Sequence, residues 1–278
     1  MRKFLNIVKW GSTLGSEPQN FLDAGWIRTV LKRVPESKKR AWALRMLSLS
    51  PHYFISPDSP EYAGMRTDEY LEKVFKVCVD SRVQIFEKLL KPHFAAGDTV
   101  IDYGCGPGFL AGVLARHVKQ IYACDISEGA LACARILNNA PNLEYVAATD
   151  AGLARIADAS VDVVVSFAMI QHISDEIFER VLANMYRKLK PGGRAVLHIQ
   201  LIDDVWKTED EWRADSSIAG KIKYRYGLHC FGRTDGRHTE MVTAAGFADV
   251  KIDEITGSLR DSFPELASQR LLTANKPA

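Results

Sequence analysis

The chain predicts an α/β fold built on a mostly parallel, doubly wound sheet. Three observations carry that prediction. From residue 98 onward, β-branched runs alternate with helical patterns. The first run ends in Gly104, Cys105, Gly106, Pro107 and Gly108, a turn tight enough to bring main-chain N–H groups against a ligand. Acidic residues then close the next strands at regular intervals, at Asp125 and Asp150.

The elements follow in order. Residues 1–50 read as helical pieces. Phe21, Leu22, Trp26, Ile27, Val30 and Leu31 recur at helical spacing over 19–33, and Pro35 ends that piece. A second piece covers 36–49. Pro51, Pro57 and Pro60 make 51–62 a loop, and a helix over 68–91 stops at Pro92. Together 1–93 form a helical extension, and 94–278 form the main domain. There the predicted strands are 99–103, 120–125, 143–148, 161–167, 194–201, 248–253 and one within 268–275. The predicted helices are 108–118, 128–138, 175–189 and 238–245. Lys190-Pro191-Gly192-Gly193 reads as a helix stop and turn before its strand. Residues 203–237 interrupt the alternation with Trp206, Trp212, Tyr224, Tyr226, His229 and Phe231. An aromatic insertion at the carboxyl edge of a sheet is placed to cover a bound ligand.

Composition narrows the class. A length of 278 residues allows a large core. Five cysteines without a C-x-x-C pair argue for a reducing compartment and against a zinc site. No apolar run is long enough to span a bilayer, and the N-terminus lacks a leader's cleavage pattern, so a cytoplasmic location is expected. Residues 1–50 hold ten Lys or Arg against three Asp or Glu. That face is either solvated or a contact for an anionic surface, including the periphery of a membrane.

The decamer 100–109, Val-Ile-Asp-Tyr-Gly-Cys-Gly-Pro-Gly-Phe, has G-x-G-x-G spacing, and Phe109 stands where a dinucleotide fingerprint has its third glycine. It resembles motif I of the class I S-adenosylmethionine-dependent methyltransferases. The Lys-Pro-Gly-Gly and Gly246-Phe247 turns are similar to the family pattern. The resemblance covers about 95–200 and 238–275. It implies a Rossmann-like sheet of seven strands, the last antiparallel, and S-adenosylmethionine as cofactor, with S-adenosylhomocysteine as product. It also implies a binding set: Asp102 toward the ligand's ammonium, with Tyr103, Gly104, Cys105, Gly106, Gly108 and Phe109 around the turn. Asp125 would take the ribose hydroxyls, Ile126 the adenine face, Asp150 the adenine amino group and the Ala151 N–H a ring nitrogen. Phe167 and Gln171 complete the set, and Tyr53, Tyr62 and Arg66 are further candidates.

After the fourth predicted strand the chain reads Ser166-Phe167-Ala168-Met169-Ile170-Gln171-His172-Ile173. The motifs of adenine-amino, cytosine-C5 and protein-arginine enzymes are missing there. What remains resembles the small-molecule methyltransferases. A hydroxyl acceptor must lose its proton, which a histidine near neutrality can take. His172 is the leading candidate base, followed by His229 and His238, whereas His198 reads as a core residue. Asp203 and Asp204 could bind a divalent cation but read first as a loop pair, and no metal site is expected. The expected activity is methyl transfer to a small molecule, most readily at a hydroxyl oxygen of a secondary metabolite, quinone precursor, lipid or sugar. Nucleic acid is not the expected partner. The alternatives are an RNA or protein methyltransferase docking through its basic N-terminus, and a S-adenosylmethionine-binding protein without transferase activity.

Overall fold

The computed structural model describes residues 25–48, 60–202, 207–225, 229–256 and 268–278. The readings at Trp10, Tyr53, Asp203, Asp204, Trp206 and Tyr226 lie outside the described residues, as do those for the rest of 1–24.

The sheet has seven strands. They are β1 (Thr99–Tyr103), β2 (Gln120–Asp125), β3 (Leu143–Ala147), β4 (Val161–Ser166), β5 (Leu189–Gln200), β6 (Ala248–Glu254) and β7 (Gln269–Asn275). Their spatial order is β3-β2-β1-β4-β5-β7-β6. All neighbours run parallel except β7, which is antiparallel to both β5 and β6. The winding reverses between β1 and β4, where the crevice at the strands' carboxyl ends opens for a ligand.

Alternation along the strands assigns the faces. Val100, Val163, Val165 and Val196 point to one side, and Ile101, Val164 and Leu197 to the other. Both sets are buried, so the sheet is covered on two faces, as a parallel sheet requires. Helix α1 (Gly25–Arg33), α2 (Glu36–Leu47), α3 (Thr67–Ile85), α4 (Phe109–Leu114), α5 (Glu128–Leu137) and the short α6 (Asp150–Leu153) precede β4. After it come α7 (Asp175–Lys188), α8 (Glu209–Ala214), α9 (Ile218–Arg225) and α10 (Asp235–Ala244). Helix α3 continues through a wider turn at Phe86–Leu90 before Pro92 ends it.

The helical extension has its own apolar seam. Ile27, Leu31, Ala43, Leu44 and Leu47 bury against Leu71 and Phe75 of α3 and against Ala130, Cys133 and Leu137 of α5. Its basic residues largely turn to neighbouring acids. Arg28 pairs with Glu128, Lys39 with Glu36 at 2.6 Å, Arg40 with Glu72 at 2.8 Å and Arg45 with Asp68 at 2.8 Å. Trp42 packs on the same seam. Among the described residues no helix is long and apolar enough to cross a membrane.

One boundary differs in kind from the sequence reading. Lys190-Pro191-Gly192-Gly193 is a bulge inside β5 rather than a turn before it. Leu189 already pairs with Val161, and the register then shifts so that Arg194 meets Val163. Gly192 takes the left-handed conformation, and residues 192–193 bond to Lys276. A bulge absorbs extra residues on one strand without ending its pairing.

Candidate active site

A cavity of about 640 Å³ lies across the carboxyl ends of β1, β2, β3 and β4. β1 and β2 deliver their last side chains there, and the turns just beyond β3 and β4 supply Ala148, Thr149 and Asp150 and Phe167, Ala168 and Met169.

The glycine turn forms the floor. Gly104 has φ +82°, which only glycine adopts without strain. A Cβ at Gly104 would collide with the Met169 side chain, so Met169 from the loop after β4 seats directly on the turn. The Gly104 and Cys105 N–H groups both donate to the Cys124 carbonyl, at 2.7 and 3.0 Å, which ties the turn to β2.

The acids are placed by different forces. Asp102 is 2% exposed, and its Oδ2 has no hydrogen-bond partner among the described residues. Burial, then the neighbouring Asp125, pushes its pKa up to about 7, against the pull of Arg82 and the Ala111 N–H. Asp125 accepts from the Gly106 N–H through Oδ2 and from the Ser127 N–H through Oδ1, both at 2.8 Å. With about four lone-pair sites, the carboxylate keeps acceptor capacity for a ligand hydroxyl. Burial raises its pKa, and those N–H groups hold it back. Asp150 lines the outer part of the cavity at the start of α6, whose N-cap Thr149 accepts from the Gly152 N–H. Ile126 is 56% exposed, an apolar plate at the cavity mouth.

Tyr103, Cys105, Phe109, Phe167 and His172 line the same cavity. Phe167 stacks on His198 with ring centroids 4.1 Å apart, and Arg82 lies over its ring. His198 is a core residue. Its Nδ1 accepts from the Ala168 N–H at 3.3 Å, and its Nε2 meets Gln269 Oε1 at 2.7 Å. Burial lowers its pKa to about 4, so it stays neutral. Ala168 itself is left-handed at φ 58°, a strained position for a residue with a Cβ, in the cavity wall.

Several expected residues sit elsewhere. Gly108 caps α4 with φ +77°, and its bare Cα makes room for the Tyr145 hydroxyl rather than for a ligand. Ala151 follows Asp150 into α6 without lining the cavity. Gln171 is buried behind the loop, where its carbonyl accepts from the Phe231 N–H at 2.7 Å. His238 is fully buried beneath α7, its Nε2 3.3 Å from the Gln200 carbonyl and its ring edge-on to Phe178. Burial takes its pKa to about 4. The His229 ring is buried between Trp212 and Phe231, and it is the His229 main-chain carbonyl that faces the site. Tyr62 packs on Tyr70, Arg66 is exposed, and neither reaches the cavity. No described residue of 203–237 lines it either; Trp212 instead donates to the Cys230 carbonyl at 2.9 Å. Among the described residues no cluster of His, Cys, Asp and Glu is placed to hold a metal ion.

Cys78 and Arg82, four residues apart on α3, line the cavity without having been singled out in the sequence. The same holds for Ile177, Arg180, Val181 and Asn184, a stripe of α7 at helical spacing. In the sequence Arg82 is one basic residue of an amphipathic helix, with no signal for the face that meets a crevice.

His172 remains. Its Nδ1 lies 3.0 Å from the His229 carbonyl, and burial lowers its pKa. A buried imidazole, an apolar platform and three acids around a glycine turn can hold a zwitterionic nucleoside and take a proton from a neighbouring molecule.

The fold and this cavity together define a doubly wound α/β domain with a crevice at its switch point. Residues 101–197 match the family described as methyltransferase domain. Over 101 residues it is 34% identical to the ubiquinone biosynthesis O-methyltransferase of Pseudomonas fluorescens strain Pf0-1. That match covers 36% of this chain and 43% of the relative. The chain thus spans less than half the length of the curated relatives it matches. Among solved structures it is similar to an S-adenosylmethionine-dependent methyltransferase from Mesorhizobium loti. There the TM-score is 0.54 at 20% identity, over 71% of this chain and 99% of that one. It is also similar to the Haemonchus contortus phosphoethanolamine N-methyltransferase 2 solved with phosphomonomethylethanolamine and S-adenosylhomocysteine. There the TM-score is 0.51 at 18% identity, covering 76% and 60%.

Proposed function

We propose that this chain transfers the methyl group of S-adenosylmethionine to a hydroxyl oxygen of a small molecule. One observation carries the reading: the Asp102, Asp125 and Asp150 carboxylates, the glycine turn and His172 all open on one cavity. The residues present fit the donor. The buried, unpartnered Asp102 Oδ2 suits its ammonium, and Arg82 beside it suits its carboxylate. The spare lone pairs of Asp125 suit the ribose hydroxyls, and exposed Ile126 suits an adenine face. When bound, the donor supplies a methyl group activated by a positive sulfur. The protein's part is positioning, exclusion of water and removal of one proton. Phe167, Met169, Ile173 and Val181 give the cavity apolar walls that keep water from the reacting atoms. His172 Nε2 would take the proton from the acceptor hydroxyl, whose oxygen pair would form the new bond to the methyl carbon as the carbon–sulfur pair returns to sulfur and S-adenosylhomocysteine leaves.

The name of the ubiquinone biosynthesis O-methyltransferases supports oxygen as the acceptor atom, and the Phe167 ring in the cavity wall suits a flat acceptor. The test is incubation of the full chain with methyl-labelled S-adenosylmethionine and a cell extract, followed by partition of the label. Label in the organic-extractable or small polar fraction supports the reading and supplies the mass of the acceptor. Label in RNA or protein overturns it.

A further inference from the structure

The sequence treats residues 203–237 as an interruption. Its described end nevertheless concentrates contacts on the loop that carries His172. The His229 carbonyl meets His172 Nδ1 at 3.0 Å. The Phe231 N–H donates to the Gln171 carbonyl at 2.7 Å. Arg233 is 5% exposed and spans the turn. Its Nη1 donates to the Ile170 carbonyl at 3.3 Å, its Nη2 to the Ile173 carbonyl at 2.6 Å, and its Nε to Asp175 Oδ1 at 2.6 Å. One planar cation therefore holds the residue two before His172, the residue after it and the first residue of α7. Its guanidinium also lies over the Phe178 ring. From the other side, Arg233 N and O bond to Gln200 O and Ile202 N, which docks the segment on the end of β5.

We infer that Arg233 is a positioning residue that presents His172 to the acceptor in one tautomer, with the proton on Nδ1 and the basic lone pair on Nε2. The inference rests on the proposed role of His172 as base. A carbonyl oxygen only accepts, so the imidazole nitrogen facing His229 must carry the hydrogen. Cys230 Sγ lies 3.8 Å from the same nitrogen, a weaker contact than the carbonyl. Burial holds its thiol up at about 12, so it does not present a competing charge. The carbonyl fixes the tautomer only while residues 229–233 stay registered on 170–173, and Arg233 sets that register. Lysine cannot replace it, because a single ammonium does not reach two carbonyls and a carboxylate in one plane.

The test is long-range proton–nitrogen NMR of the histidines in the full chain with S-adenosylhomocysteine bound, His172 being assigned from H172Q. The wild type should show His172 protonated at Nδ1. R233K should bring the other tautomer to at least about a tenth of the population while S-adenosylhomocysteine affinity changes less than twofold. With the acceptor in hand, R233K should lower kcat about tenfold or more and leave donor KM unchanged. Protonation at Nε2 in the wild type would overturn the inference, as would an unaltered tautomer in folded R233K. The first outcome needs no variant. Failure of the base reading itself is seen separately, as wild-type turnover by H172Q.

Discussion

Donor binding should be coupled to release of a proton from Asp102. Burial and the nearby Asp125 raise this carboxyl from 3.8 to about 7, so the ligand-free folded protein keeps it protonated where the unfolded chain does not. Between those values the folded state holds more protons, and the group's contribution to stability is lost as pH rises through about 7. A bound ammonium reverses the preference, because it needs the carboxylate. With a midpoint near 7, the carboxylate fraction grows from about a tenth at pH 6 to about nine tenths at pH 8, so affinity should rise about tenfold, or about 1.4 kcal/mol. Burial lowers the pKa of His172, a shift opposite in direction to that of Asp102. Calorimetric titration with S-adenosylhomocysteine at pH 6, 7 and 8, in buffers of different ionisation heat, reads affinity and proton release together. Asp102→Asn should bind more weakly at pH 8 and lose the slope. A flat wild-type profile, or a slope that survives in Asp102→Asn, would refute the reasoning.

Asp125→Ala removes the acceptor of two main-chain N–H groups as well as the ribose contact, and each charge-assisted bond is worth about 1.5–3 kcal/mol. S-adenosylhomocysteine affinity should fall at least about tenfold, with a lower urea midpoint. Gly104→Ala should cost about 1–2 kcal/mol from the left-handed backbone alone. Displacing Met169 should weaken the nucleoside as well; equilibrium unfolding and titration measure the two separately. His172→Gln should lower turnover about 10²–10⁴-fold with S-adenosylhomocysteine affinity unchanged, and a loss below tenfold removes histidine from the proton step.

The residues at the strand ends of the cavity were largely legible because their signals are local. Asp102, Gly104 and Asp125 each sit where a strand run stops, and a parallel sheet aligns such stops at one edge. Asp102 and Asp125 do meet there, close enough for the charge of one to disfavour that of the other. The helical walls of the cavity were not legible, since their residues are set by how helices rotate onto the sheet. Arg82 and Asn184 sit in helical stretches whose sequence does not say which side faces a crevice. His229 and His238 stand behind His172 in sequence as further candidate bases. Only packing separates them, His238 beneath α7 and His229 offering its carbonyl instead of its ring. The bulge at Pro191-Gly192 imitates a turn because both need a left-handed glycine.

The placing of β7 between β5 and β6 also sets an order of events during synthesis. β1 to β5 are complete once Gln200 has been made, and they include every strand that touches the cavity. Until residues 269–275 leave the ribosome, β5 has one open edge and β6 has no neighbour to pair with. An open edge beside a finished nucleoside crevice is a template for another nascent chain. Occupancy of the crevice can steady this early half before the sheet closes, and proteolytic loss of β7 would return the mature protein to the same exposed intermediate.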